Sequence, residues 1–372
     1  MVDGKLLHRI VVWPTYEDAA AAKEEAASDD CKLTNKLTVW DTYEQAAAHT
    51  SVGGGGYIAS AVHFDGLTFL HIDALAGVVN GPKGIFSYWA KNFYSNRNDS
   101  SSGATALSNS DGNYITLGGT HLSFPDASVG GYLTDQTYSH NFDWDVDERI
   151  LSPDIWYHVL MAWDVGFAPG TRRLAMYVND ALQIYTINTD NGDETFEAYY
   201  AASTDFGSSF PYFEAVKGDC ADVYINYVDT IVEADNTISE ANRRKFITAG
   251  GKPANPSGFP ANGTVIFSGD KDSFAGNSMG SGGAFDVYQM FICDEVGASG
   301  PGPVSCPGLR IGDVVVKIFR SGSPRDLTAS FESIVTVDDQ IQQTSSDDYT
   351  SDSSIKVTVI GTLTNASTSP SD

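Results

Sequence analysis

Two carboxylates near residue 234 come nearest in spacing to a catalytic pair. Hydrolysis of a glycosidic bond uses two carboxyl groups, and a strand with the pattern Glu-x-Asp-x-x-Glu places both glutamates on one face. The closest string in the chain is Glu233-Ala-Asp235-Asn-Thr-Ile238, which has isoleucine at the last position. The sequence contains no Gly-x-Ser-x-Gly nucleophile motif and no phosphate-binding loop. It therefore predicts no catalytic residues and a protein that is not an enzyme.

A second acidic string, Asp143-x-Asp145-x-Asp147, begins like a calcium-binding loop. Such a loop needs glycine at its sixth position for a sharp turn and a bidentate glutamate at its twelfth. The chain has Glu148 and Asp154 at those positions. We therefore predict no cofactor, and calcium at these three aspartates is the one metal that the sequence leaves open.

Two other segments combine the residue types that bind sugars, namely aromatic rings for the apolar side of a pyranose and amide or carboxylate groups for its hydroxyls. The alternative is that their rings fill the edges of a sheet sandwich or a contact between subunits. Both interpretations stay open. The candidate carbohydrate-binding residues are Tyr132, Tyr138, Asn141 and Trp144 in the first segment, and Tyr199, Tyr200, Phe206 and Tyr212, beside Asp205, in the second.

The cysteines are too few for a disulfide-rich scaffold, and none stands in a Cys-x-x-Cys pair: they are Cys31, Cys220, Cys293 and Cys306. We expect buried or surface thiols. Cys293 and Cys306 flank a Gly/Pro-rich loop, so a bridge between them in an oxidising medium remains open.

The charge excludes two classes of partner. In 372 residues, 22 Lys and Arg oppose 48 Asp and Glu, which gives a formal net charge of −26. Such a surface repels nucleic-acid phosphates and anionic lipid, so we expect neither nucleic acid nor membrane as a partner. The most apolar stretch, residues 67–79, is too short to span a bilayer. It contains His71 and Asp73, and we expect it in the core.

The first fifty residues contain a repeat, in which Val12–Ala21 recurs as Val39–Ala48 at a spacing of 27 residues. Each copy predicts a strand, a threonine cap and a short helix. Two such units cannot enclose a core without neighbours. We therefore predict that residues 1–56 form a small α+β docking segment. Its candidates for contact with a partner are Trp13, Tyr16, Trp40 and Tyr43.

Beyond Gly53–Gly56 the chain changes to short apolar runs bounded by turn residues, which predicts an antiparallel sandwich over residues 57–297. The turn Asn179-Asp180 between two such runs predicts a hairpin. Thr237-Ile-Ser-Glu240 has capping-box spacing and predicts a helix over residues 239–249. Residues 298–308 are typical of a Gly/Pro-rich linker, and residues 309–372 predict a small C-terminal β domain whose last residues, 362–372, fray.

The predicted hairpin carries a family resemblance. Trp156-Tyr-His158-Val, Trp163-Asp164 and Leu174–Asp180 resemble the central hairpin of concanavalin A-like, laminin-G-type jelly rolls, with their W-x-H-V strand, W-D turn and L-x-x-Y-V-[ND]-[DG] strand. The resemblance covers residues 57–297 and implies an all-β fold, a concanavalin A-like jelly-roll sandwich. It implies little about function, because that fold hosts lectins, glycosidases and adhesion modules.

A second resemblance lies at the end of the sandwich. A set of segments is similar to the end of lectin-like modules in structural proteins of tailed bacteriophages: Asp222–Asn226, Ile238–Ile247, Gly250–Pro253, Ile266–Asp270 and Gly280–Phe285. The resemblance implies a virion component of tail, fibre or head decoration whose sandwich binds host-surface glycan. Alternatives are a polysaccharide depolymerase of the same fold and a capsid-decoration protein without a ligand.

The same resemblance implies other virion proteins as partners, in a homo-oligomeric or multi-copy assembly. The sequence begins Met-Val-Asp-Gly-Lys, with no basic segment leading into an apolar run, so we expect no signal peptide. The expected location is the virion, after synthesis in a host cytoplasm.

Overall fold

The structure, a computed structural model, describes residues 57–95, 154–168, 170–183, 203–209, 214–295, 302–320, 326–345 and 354–371, and the backbone of five further strands within residues 104–190. Residues Ile58–Asp372 form a compact unit. The repeat of residues 1–50 lies outside the described residues, and with it the candidates Trp13, Tyr16, Trp40 and Tyr43. No helix in the described part is long and apolar enough to cross a membrane.

The prediction of an all-β protein is confirmed, because strands make up nearly all of the regular structure. In chain order they are β1 (Val62–Asp65), β2 (Thr68–Ile72), β3 (Lys83–Ser95), β4 (Ala104–Asn109), β5 (Tyr114–Leu117), β6 (Ser128–Thr134), β7 (Ser139–Asp145), β8 (Tyr157–Asp164), β9 (Arg173–Val178), β10 (Ala181–Leu182), β11 (Tyr185–Asp190), β12 (Thr204–Phe206), β13 (Ser208–Ser209), β14 (Glu214–Asn226), β15 (Val265–Phe267), β16 (Asp286–Glu295), β17 (Pro303–Ser305), β18 (Val315–Arg320), β19 (Gln340–Gln342), β20 (Ser354–Ile360) and β21 (Thr364–Asn365). One α-helix, α1 (Glu240–Arg243), and three 3₁₀ turns occur among the described residues.

The strands form two large antiparallel sheets. Sheet A has the order β10-β9-β8-β3-β14-β1-β21, with β13 and β15 also paired to β14. Sheet B has the order β11-β7-β6-β5-β4-β12-β2-β16-β20-β18, and β17 pairs with β19 separately. Besides hairpin-connected neighbours, both sheets pair strands that are distant in sequence, such as β14 with β1 and β2 with β16, as in a jelly roll, and the predicted sandwich is confirmed.

The main core lies between the two sheets. Alternate residues of each strand point into it and are fully buried; they include Phe64, Phe86, Met161 and Met176 of sheet A and Leu70 and Phe206 of sheet B. Burial of each such side chain contributes roughly 1.5–3 kcal/mol.

The outer face of sheet A is buried as well. The segment 228–262 places Ile238 and Phe246 against Leu160, Tyr177 and Tyr224 on that face. Every residue of β8 is consequently buried. The near-continuous apolar run of β8 is therefore typical of a strand that is covered on both sides.

The hairpin predicted at Asn179-Asp180 is confirmed, with β9 paired to β10. Both turn residues have positive φ, 48° for Asn179 and 67° for Asp180, as a type I′ turn requires. The Asn179 side chain also accepts a hydrogen bond from the backbone N–H of His158 at 2.9 Å, which ties the turn to β8.

The helix predicted over residues 239–249 is wrong in extent, since α1 covers only Glu240–Arg243. The expected capping box of Thr237 and Glu240 does not form, because the helix begins at Glu240 with Ser239 as its N-cap, and the Ser239 side chain makes no cap hydrogen bond. At the end of the helix, Arg243 and Arg244 donate to the two carboxylate oxygens of Asp180 at 2.6 and 2.8 Å. These contacts and the burial of Phe246 bend the chain back onto sheet A.

The residues after β16 extend sheet B, because β20 and β18 pair beyond it. They cover this extension with a second core that includes Phe291, Ile318 and Val357. Residues 303–305, predicted as linker, instead form β17, since Val304 packs into the second core.

Cys293 and Cys306 form a disulfide, so the expectation of free thiols is wrong for this pair. Both cysteines are buried in the second core. Cys220 is a buried free thiol, as expected.

The prediction that residues 362–372 fray is also wrong. Leu363 is buried in the main core, and β21 pairs with the outer edge of β1. Beyond β21, Ala366 donates its backbone N–H to Ala61 at 2.9 Å. The tail therefore satisfies backbone groups that an open sheet edge would leave unpaired.

We expect Leu363→Ala to lower the free energy of unfolding by roughly 2–5 kcal/mol, because it leaves a cavity in the main core. The exposed neighbour Thr362 offers a matched control, and Thr362→Ala should change stability by less than about 0.5 kcal/mol. Urea unfolding of the two variants measures the difference. Equal and small effects would mean that the tail does not dock.

Candidate functional site

The residues proposed from sequence fall into three groups in the structure. Tyr132 on β6 lies directly opposite Asn141 on β7, and Trp144 follows on β7 together with Asp143 and Asp145. These positions are described by backbone alone, so their sugar and calcium hypotheses stay predictions. Tyr138, Asp147, Tyr199, Tyr200 and Tyr212 lie outside the described residues. Within the described part, no group of three or more His, Cys, Asp and Glu side chains is arranged to hold a metal ion.

Phe206, the remaining sugar candidate, is corrected by the structure. Its side chain is fully buried between the sheets. Its ring centroid lies 5.9 Å from that of Phe64 and 5.6 Å from that of Phe267, both in edge-on contacts. A ring packed in this way stabilises the core and cannot stack on a sugar.

Asp205 lies on the opposite side of β12 from Phe206, because successive side chains of a strand point to opposite faces. It is directly opposite His71 of β2 in the sheet register. The Nδ1 atom of His71 donates to Asp205 Oδ1 at 2.6 Å, and the carboxylate of Asp205 is only 5% exposed. The outer face of sheet B thus carries a buried Asp–His pair.

Three more side chains complete a cluster around this pair. His71 Nε2 contacts Asp73 Oδ1 at 3.1 Å, and the Asp73 side chain is fully exposed. The His71 ring stacks on that of Tyr288, with centroids 5.2 Å apart and planes 22° apart. The Tyr288 hydroxyl donates to Asp286 Oδ2 at 3.4 Å. We call these five residues, His71, Asp73, Asp205, Asp286 and Tyr288, the His71 surface.

The pKa values of the cluster reflect its burial and its charges. Burial alone lowers the pKa of His71, but the hydrogen bonds and charges of Asp205 and Asp73 outweigh burial and raise it. Burial raises the pKa of Asp205 despite the opposing effect of His71. Partial burial, with the nearby charges of Asp286 and Asp73, raises the pKa of Tyr288 to about 12. The His71–Asp205 pair therefore retains its proton to a higher pH than either side chain does in water.

The His71 surface offers hydrogen-bond acceptors beside two stacked rings. Asp73 and Asp286 are exposed carboxylates, which accept hydrogen bonds from hydroxyl groups. Three carboxylates around one imidazolium leave the local charge negative. An anionic ligand is therefore repelled, whereas a neutral polyhydroxylated ligand is not.

The sequence-based argument reached only Asp205 of this cluster. His71 and Asp73 lie in residues 67–79, which were expected in the core, and that expectation is wrong for both: Leu70 faces the core, whereas His71 faces outward and Asp73 is exposed. The usable signal is the period of two in His71-x-Asp73 and in Asp286-x-Tyr288, which places each polar pair on one face of its strand. Only the pairing of β2 with β16 brings the two pairs together.

A comparison with protein-family models finds no match, and neither does a comparison with curated proteins. Among solved structures, domains LG4-5 of the mouse laminin α1 chain align at 12% identity over 90% of this chain and 92% of that chain, with a TM-score of 0.32. The LG1-3 region of the laminin α2 chain aligns at 9% identity over 84% of this chain and 63% of that chain, with a TM-score of 0.31. The strand order and the two packed sheets make this chain a jelly-roll sandwich.

We expect Asp205→Asn to lower the pKa of His71. The substitution removes the carboxylate whose hydrogen bond and charge contribute most to raising this pKa against the effect of burial. NMR titration of the imidazole measures this pKa. In the wild type, protonated His71 stabilises the fold below its unfolded pKa near 6.5, and this contribution is lost as pH rises through the raised folded pKa. Asp286→Asn, which removes a carboxylate with no hydrogen bond to His71, should change the titration much less. An unaltered His71 pKa in Asp205→Asn would contradict the assignment.

Proposed function

We propose that the chain is a multi-copy structural protein of a tailed-bacteriophage virion, and that its sandwich binds neutral glycan of the host surface through the His71 surface without cleaving it. Glycan binding is proposed from one observation, the stacked rings of His71 and Tyr288 between the exposed carboxylates of Asp73 and Asp286. The virion role is supported by the resemblance of residues 222–285 to lectin-like modules in structural proteins of tailed bacteriophages.

The chemistry of the His71 surface suits a sugar in two respects. Half-buried rings, here His71 and Tyr288, offer apolar area to the C–H faces of a pyranose while remaining rigid. Carboxylates at the rim accept hydrogen bonds from sugar hydroxyls, and bonds to charged groups are stronger than those between neutral ones. The orientation of His71 is set by Asp205, so the recognition surface is organised before a ligand arrives.

Binding without cleavage is favoured by how the carboxylates are held. Asp205 is almost completely buried and is engaged by His71, so it is poorly placed to reach a glycosidic oxygen. Asp286 lies on β16, on the other side of β2 from Asp205, and is exposed. Glycoside hydrolysis needs two carboxyl groups that both reach the scissile bond, and the burial of Asp205 leaves only one carboxyl group of this pair accessible.

The first sequence candidates for catalysis, Glu233 and Asp235, lie in an exposed turn between Val232 and Ile238 rather than on a strand. Asp235 accepts hydrogen bonds from the backbone N–H and the hydroxyl of Thr237 at 3.2 and 2.7 Å. This arrangement gives Asp235 a local role in shaping the turn, which supports the proposal of a non-enzymatic module.

We expect Tyr288→Ala to weaken binding of polysaccharide by roughly five- to tenfold, because the stacked ring is lost. Tyr288→Phe, which keeps the ring and removes only the hydroxyl, should retain most of the affinity. The measurement is binding of the whole chain to immobilised neutral surface polysaccharides from a bacterial panel, with mass analysis of the recovered glycans. Shortened chains would favour a depolymerase, and an absence of binding to every member would favour a decoration protein without a ligand.

The role of residues 1–50 in assembly is a separate prediction. Residues Ile58–Asp372 form a compact unit by themselves, so deletion of 1–50 should leave the sandwich folded. We expect the truncated protein to keep its thermal transition and polysaccharide binding but to be missing from purified particles. Matched substitution of Trp13 and Trp40 by alanine in the full chain should reduce incorporation in the same direction. Normal incorporation of the truncated protein would contradict the docking role.

A further inference from the structure

A polar cleft of about 430 Å³ lies on the outer face of sheet A, on the sheet opposite to the His71 surface. It forms where β14 passes between β1 and β3, and the C-terminal tail provides one wall through Thr364, Asn365 and Ser367. Its volume is within the range of about 300–1,000 Å³ of small-molecule sites.

The floor of the cleft is built by a break in the sheet register. The pairing of β14 with β3 shifts between Lys217 and Asp219, and Asn92 of β3 has a φ of 52°. Gly218 has a φ of 130°, and a Cβ atom there would lie 2.2 Å from the backbone oxygen of Asn92. Glycine is therefore required. Lys217 and Asp219, two residues apart on β14, lie on the same face of the strand and both line the cleft.

The buried acid of the cleft is already neutralised. Asp219 Oδ1 accepts from His63 Nδ1 at 2.7 Å, and Asp219 Oδ2 pairs with Lys91 Nζ at 3.1 Å. Lys91 is itself buried and also donates to Thr368 Oγ1 of the tail at 2.5 Å. Both oxygens of Asp219 are thus engaged, so this carboxylate does not need a ligand.

Several donors of the cleft remain unused. In the described part of the chain, the ammonium of Lys217 has no carboxylate partner and His63 Nε2 has no hydrogen bond. The side-chain oxygen of Asn365 accepts from the backbone N–H of Lys271, which leaves its amide group as a further donor. A cleft with surplus donors suits a ligand rich in acceptors.

The charge balance of the cleft differs from that of the whole protein. Lys91 and Lys217 oppose Asp219 and Asp154 among the lining residues, and His63 adds positive charge whenever it is protonated. The chain as a whole carries −26, and an acidic ligand is repelled by most of such a surface. The cleft is therefore a place where a carboxylate meets no net repulsion.

We propose that this cleft binds the carboxylate of an acidic sugar residue. Lys217 forms the ion pair with the carboxylate, and His63 Nε2, Asn365 and Ser367 bond to ring hydroxyls. That the ligand is a saccharide rests on the proposed function, whereas the carboxylate specificity rests on Lys217 and the charge balance alone.

The test is a titration of the full chain with glucuronate, followed by NMR at 20 mM and at 500 mM salt. We expect millimolar-range binding that weakens at high salt, because the exposed ion pair is screened. Glucose, which has the same ring without the carboxylate, should bind about two- to fivefold more weakly, the size expected of one exposed ion pair. Lys217→Met should lose the same factor, and the matched variant Lys217→Arg should keep the affinity.

Lys217 is exposed, so these variants should fold, and an unchanged thermal transition of Lys217→Met verifies this. Equal binding of glucose and glucuronate, or unaltered binding in Lys217→Met, would overturn the proposal. Binding of acetate as tight as that of glucuronate would overturn the choice of a sugar. Tyr288→Ala, on the other sheet, should leave glucuronate binding unchanged. If Tyr288→Ala loses polysaccharide binding but still binds glucuronate, the two sites act independently. The cleft proposal and the proposed function can then each be contradicted without the other.

Discussion

Burial of sheet A on both faces is the constraint on which the rest of the structure depends. Its central strands carry large apolar side chains inward, such as Met161, and outward, such as Leu160 and Tyr224. Sheet B covers the inner side, so the outer side must be covered by other parts of the chain. The segment 228–262 covers much of that face, and the C-terminal tail closes the β1 edge. The polar cleft lies beside β1, where the pairing of β14 with β3 shifts at a bulge in β3 and the tail forms a wall.

Sheet B places its candidate site through register. β2 lies between β12 and β16, and His71 is the residue of β2 that pairs with both Asp205 and Asp286. A slip of one residue in either pairing would turn a carboxylate toward the core and expose an apolar partner such as Phe206. The same packing that buries Phe206 therefore places Asp205 on the outer face beside His71. The strand register that packs the core thus also fixes the positions of the polar groups on the outer face.

The two surfaces differ in how they manage charge in a strongly acidic chain. At the His71 surface, three carboxylates surround one imidazole, and the excess of negative charge discriminates against acids. In the cleft, Lys91 neutralises Asp219 and leaves Lys217 free of any described carboxylate. In our two binding proposals, neighbouring charge, more than the shape of either surface, is therefore what separates neutral from acidic ligands.

The sequence by itself determined those features that local spacing encodes. Alternation of apolar residues predicted the strands, and the turn residues Asn179-Asp180 predicted the hairpin. Tertiary structure alone decided the features that depend on distant partners. His71 meets Asp205 across 134 residues and His63 meets Asp219 across 156, distances over which spacing carries no information. The short helix also depends on distant partners, because the contact of Arg243 with Asp180 and the burial of Phe246 direct the chain back onto sheet A. The tail does so too, because it pairs with the edge of β1. Local pattern sets which face of a strand is apolar, whereas packing decides which strands become neighbours and so which polar groups meet.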